Sequence, residues 1–257
     1  MRIMSTRRPD RLFHAWQKAA ALQLWRPACK QALSVVILLL YFLPLRAQTI
    51  EPLIAEYTAR ADGRFEVRND TATPMAVVLD TRSFSVNEEG RGIYRSLDKG
   101  IALKLSATSM RLAPGESANV FYKANANQLP TWFQVQAAFT PLQHGKGISL
   151  RVVLPHTVYL YQKSAVDKSA IQIHLPQYKG ETNAIECELE NHGPGLVRVQ
   201  EVRATAGKDS AESAGFPLLP GATRKLSIEW KSKRHPEWLI FQFPQFVMRE
   251  QFSDVQQ

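Results

Sequence analysis

The residue types able to do chemistry are few and scattered. Five histidines lie beyond residue 47, namely His144, His156, His174, His192 and His235, each alone in its segment. Zinc motifs legible in a sequence pair their His or Cys within a few residues, so only a site assembled from distant segments stays open. Cys187 sits in the run Ala-Ile-Glu-Cys-Glu-Leu-Glu-Asn at 184–191, where alternation puts it on a strand face and reads as a buried, inert thiol. Glu186, Glu188 and Glu190 recur at period two along the same run. Such a row is ordinarily the solvated face of a half-buried strand, and acid–base work needs two carboxyls held in contrasting environments. The sequence contains no H-E-x-x-H, no cysteine pair at motif spacing, no G-x-S-x-G and no G-x-x-x-x-G-K-S/T. The expectation is a protein that is not an enzyme, with no metal and no cofactor.

Charge points the same way once the N-terminus is set aside. Residues 1–47 look like an export signal: a basic region leads into Ala32–Leu45, an apolar segment of 14 residues, shorter than the roughly 20 that a spanning helix needs. Leu45-Arg46-Ala47 then offers a small residue for cleavage before Gln48. A start at Met4 and retention as an anchor are the alternatives. Removing eight basic residues and one acidic residue takes the 32 and 23 of the whole chain to 24 and 22, and the net charge from +9 to +2. The basic excess belongs to the leader, so a nucleic-acid surface is not expected, nor is a membrane span after processing. Cys29 leaves with the leader, and Cys187 has no disulfide partner within the chain.

The elements that remain read as all-β. Short alternating runs are separated by turn residues: 64–68, 75–79, 84–86, 93–94, 101–105, 117–123 and 132–139, then 170–175, 184–190, 195–204, 222–230 and 238–243. Asn69-Asp70-Thr71 matches a glycosylation sequon, but the cluster running on to Pro74 is sufficiently explained as a turn. Trp132 and Phe133 read as core fillers, and the tail after Met248 as too polar to be ordered. The turn Leu112-Ala113-Pro114-Gly115 is echoed by Leu218-Leu219-Pro220-Gly221, as two sandwiches of related layout would produce. A polar joint at 164–169 divides them, giving domains 48–163 and 164–257.

One stretch stands out. Gly147 to Lys163 places Ile148, Leu150, Val152, Leu154, Val158 and Leu160 on one face, interrupted by His156. As a single strand it would span roughly 45 Å, against about 17–20 Å for a typical one. Part of it is then expected to lack a partner, and Pro155, without an N–H, suits an edge, a bulge or a break. Two shorter core strands kinked at Pro155 are the alternative.

Spread along the chain, these residues resemble the periplasmic pilus chaperones, the PapD-like family of two immunoglobulin-like domains. Phe65-Glu66-Val67-Arg68-Asn69 before Pro74, Arg111-Leu112-Ala113-Pro114-Gly115-Glu116, Leu129-Pro130 before Trp132-Phe133-Gln134-Val135, and the strand ending Tyr159-Leu160-Tyr161-Gln162-Lys163 carry the resemblance in the first domain. Ile185 to Asn191 and Leu219-Pro220-Gly221 carry it in the second. The resemblance implies donor-strand complementation, in which an edge strand is lent to a pilin-like subunit and its alternating side chains set the register. By position the lent side chains are Ile148, Leu150, Val152 and Leu154. It also implies a basic anchor for the subunit's C-terminal carboxylate; here Thr157 stands at the expected lysine and Thr58 near the expected arginine, leaving Arg60 and His156 as substitutes. Expected partners are pilin-like subunits and an outer-membrane usher, with self-association that hides exposed strands as an option. The alternative from another class is a structural or adhesive two-sandwich envelope protein that lends no strand.

Overall fold

The computed structural model describes residues 47–142 and 150–252. The leader up to Arg46 and Ile148 lie outside the described residues. The first ten strands are β1 (Gln48–Glu51), β2 (Ile54–Thr58), β3 (Ala61–Asn69), β4 (Met75–Val86), β5 (Gly92–Ser96), β6 (Ile101–Leu105), β7 (Ser109–Leu112), β8 (Ser117–Ala126), β9 (Thr131–Pro141) and β10 (Val152–Tyr161). They form two sheets, β1-β3-β8-β6 and β2-β10-β9-β4-β5, with β7 also pairing β4. Alternation decides which face each sheet buries. Phe65, Val67, Val120, Phe133, Val135, Val158 and Leu160 are fully buried between the sheets, each worth roughly 1.5–3 kcal/mol of transfer free energy.

After a 3-10 turn at Lys168–Ala170 come β11 (Ile171–Lys179), β12 (Ala184–Asn191), β13 (Val197–Ala206), β14 (Asp209–Leu218), β15 (Thr223–Glu229), β16 (Trp238–Gln242) and β17 (Val247–Gln251). Sheets β11-β12-β15 and β14-β13-β16-β17 enclose a second core. It is built on Ile185, Leu189, Val199, Val202, Phe241, Phe243 and Trp230. The fold is therefore two antiparallel-rich β-sandwiches in tandem. Cys187 belongs to the second core, and burial pushes its thiol up to about 12.

The echoed turns have one physical cause. Asn69 ends β3 fully buried; its Nδ2 donates to the carbonyls of Thr73 (2.9 Å), Leu112 (3.2 Å) and Ala113 (3.0 Å), and Thr71 donates back to its Oδ1. Asn191 ends β12 in the same manner, donating to Gly195, Leu218 and Leu219 at 2.8, 3.3 and 3.2 Å. Each asparagine locks its strand end to a Pro-Gly turn, where Gly115 and Gly221 adopt positive φ. With its amide engaged and unexposed, Asn69 is not open to a glycan.

Three expectations are corrected. The tail is not free after Met248: β17 pairs β16, and Phe252 is buried in the second core. Trp132 is not a core filler like Phe133. It points to the opposite face, donates from Nε1 to Phe84 O at 2.6 Å, and packs on Phe84, Tyr159, Leu196 and Leu219, where the two sandwiches touch. The long strand starts at Val152, so Leu150 and Arg151 lie outside it.

Candidate functional site

β10 has two neighbours along only half its length. β9 flanks it from Val152 (opposite Phe139) to Leu160 (opposite Thr131). On the other side β2 runs parallel, but only from Thr157 (opposite Ile54) to Tyr161 (opposite Thr58). The cause lies upstream. β1 belongs to the other sheet, where it pairs β3, and the chain crosses at Pro52 and Leu53. The first bond on β2's side is Thr157 N donating to Leu53 O at 2.8 Å. Among the described residues, Val152 to Pro155 therefore has an open edge.

Parity gives that edge its chemistry. Along a strand the peptide groups alternate in direction, so Thr157, Pro155 and Val153 face the β2 side. Val153 presents an N–H and a C=O there. Pro155 presents only a C=O, which explains how proline sits in β10 without breaking its pairing to Gln136. Side chains line the same edge: Leu150 is 71% exposed, Val153 46%, and on the neighbouring segment Leu53 57% and Ile54 45%. Val152 and Leu154 are half-buried and pack against the first core.

The two anchor substitutes, Arg60 and His156, and Thr157 at the expected lysine position point in three directions. Arg60 is exposed and lines a surface depression with Asp62, Lys104 and Lys123. His156 is sealed in the first core: its Nδ1 lies 2.6 Å from Pro52 O, its Nε2 3.0 Å from the Tyr122 hydroxyl, and its ring stacks on Phe65 at 4.6 Å. Burial lowers its pKa, with the Pro52 carbonyl working weakly the other way. Tyr122 Oη also meets Tyr57 Oη at 2.9 Å, and burial pushes its phenol far up. Thr157 lies on the opposite face of β10 and is buried too; its Oγ1 accepts from Gln134 Nε2 at 3.0 Å. Arg82 pairs with Gln134 across the ladder, so Thr157, Gln134 and Arg82 form one polar row.

Sequence reasoning missed Gln134 and Arg82, because nothing short of the register shows that they share a row with Thr157. It also missed Leu53 and Ile54, since β2 has only five residues. Away from this edge, the structure gathers two histidines read as solitary with one member of the glutamate row: ligand atoms of His174, Glu190 and His192 lie within 4.8 Å of one another. Among the described residues no helix is long and apolar enough to cross a membrane.

No protein-family model matches the sequence, and no curated protein does. Solved structures match across most of the chain. A chain of the Salmonella enterica SafA pilin in complex with the SafB chaperone superposes with a TM-score of 0.51 at 10% identity, covering 82% of this chain and 98% of that one. The fold is that of the fimbrial chaperones. The class 5 fimbriae chaperone CfaA (TM-score 0.49, 9% identity, 81% of this chain and 100% of that one) and the E. coli chaperone DraB (0.48, 10%, 81% and 98%) are also similar. At these identities the likeness to the chaperones is one of fold.

Proposed function

We propose that this chain is a periplasmic chaperone that holds pilin-like subunits by donor-strand complementation, delivering them to an outer-membrane usher for pilus assembly. It acts stoichiometrically, without catalysis or cofactor. The observation that carries the reading is the open edge of β10 between Val152 and Pro155, rimmed by exposed apolar side chains. A subunit lacking a strand would take backbone bonds from that edge and apolar side chains from Ile148, Leu150, Val152 and Leu154. The chaperone fold supports the same reading. The leader would export the chain, and domains 48–163 and 164–257 would meet at the polar joint. Arg82, the half-exposed member of the row and already paired with Asp80 at 2.7 Å, is the candidate to receive a subunit carboxylate, in preference to the buried His156, Thr157 and Gln134 or to Arg60.

Co-expression with neighbouring genes and purification of the complex tests the proposal. Leu150→Glu leaves the core untouched and is expected to abolish capture of a subunit, as is Leu150→Glu with Val152→Glu, with unchanged circular dichroism for the single variant. Undiminished co-purification with the double variant would overturn it. The partial burial of Val152 and Leu154 favours the second reading, a two-sandwich envelope protein that lends no strand. That reading expects no subunit to depend on Leu150.

A further inference from the structure

The gathering of His174, Glu190 and His192 follows from the β11–β12 ladder. Gln172 is the cross-strand partner of Glu190. His174 follows Gln172 by two residues on β11, so alternation places both on the face of Glu190, and His192, the first residue past β12, comes to the same place. The platform is firm. Asn191, between Glu190 and His192, is the fully buried lock described above, and His192 N donates to Ala170 O at 2.8 Å.

His174 Nε2 lies 2.8 Å from Glu190 Oε2, and His192 Nδ1 lies 3.2 Å from Glu190 Oε1. Zinc takes histidine nitrogen and carboxylate oxygen at about 2.0–2.2 Å, which sets ligand atoms of a tetrahedral shell about 3.4 Å apart. Each histidine nitrogen stands near that spacing from the carboxylate, on a different oxygen of it. His192 Nε2 lies 3.1 Å from Gln172 Oε1; when it donates there, the neutral ring turns its Nδ1 lone pair toward the carboxylate. A proton or a metal ion between Nδ1 and the carboxylate satisfies both. A histidine oriented through its other nitrogen is also how metal-binding imidazoles are held.

We propose that His174, Glu190 and His192 bind one divalent transition-metal ion, zinc foremost, with Gln172 orienting His192 and one position open to water or an outside ligand. Two imidazoles and a carboxylate suit zinc, and select against calcium and magnesium, which prefer all-oxygen shells. The ion joins β11 to the end of β12 and acts independently of the β10 edge.

The test uses the exported chain purified without a histidine tag and stripped with chelator. Calorimetric titration with zinc chloride is expected to show one ion per chain and a rise in melting temperature, and cobalt chloride to give visible absorption bands. Excess calcium or magnesium leaves the titration unchanged. His174→Ala with His192→Ala removes saturable binding, and so does Glu190→Gln, which preserves side-chain shape. Gln172→Ala retains binding weakened about 10–100-fold. Absence of saturable zinc binding by the native chain, or unchanged binding by the double histidine variant, would overturn the proposal.

Discussion

Single residues decide several properties of this molecule. Asn69 satisfies three carbonyls from inside the first sandwich, so Asn69→Ala leaves buried acceptors without donors. A loss of about 3 kcal/mol is expected in urea unfolding, and Asn191→Ala should act alike in the second sandwich. His156 is held below the ordinary imidazole value of about 6.5 by burial. As pH falls through that value the unfolded chain takes up this proton and the folded chain does not, so stability declines on the acid side. Urea midpoints at about pH 7.5 and about pH 5.5 should therefore differ less for His156→Gln than for the native chain. The sequence showed His156 as a polar break in an apolar stripe. It could not show the partners, because Pro52 and Tyr122 reach the ring only after the chain crosses between sheets.

At the level of elements, central strands were legible and edges were not. β9 announces itself through Phe133, Val135, Ala137 and Phe139, all buried on one face. β14 carries Ser210, Glu212 and Ser213 and, among the described residues, pairs β13 alone, so its residues have little to bury and little strand propensity to display. Its position is fixed by a close backbone approach instead: a Cβ on Gly215 would stand 2.2 Å from the carbonyl oxygens of Val199 and Gln200. Backbone cannot yield as a side chain does, and Gly215→Ala is expected to cost about 1–3 kcal/mol. Thermal unfolding of the variant would check this. β17 escaped notice for a related reason, since Val247 to Gln251 ends in three consecutive polar residues and only Met248, with Phe252 beyond it, is sealed in the core.

At the scale of the whole molecule, the two sandwiches are joined by an apolar contact and by several polar ones, among them Arg198–Glu56 and Lys225–Glu88 ion pairs. Phe84, Tyr159, Leu196 and Leu219 close on each other, while the Gln162 side chain accepts from Leu196 N and donates to Leu196 O, both at 3.0 Å. Leu196→Asp puts a charge into that joint, and calorimetry is expected to resolve two unfolding transitions where the native chain shows one. The open edge of β10 has its own consequence when two copies meet. In a twofold antiparallel pairing of the same segment, Pro155 is present once on each side, so the joint ladder is short of two bonds. A second copy is thus a poor fit for the place that a different strand, arriving in another register, could fill with the loss of only one.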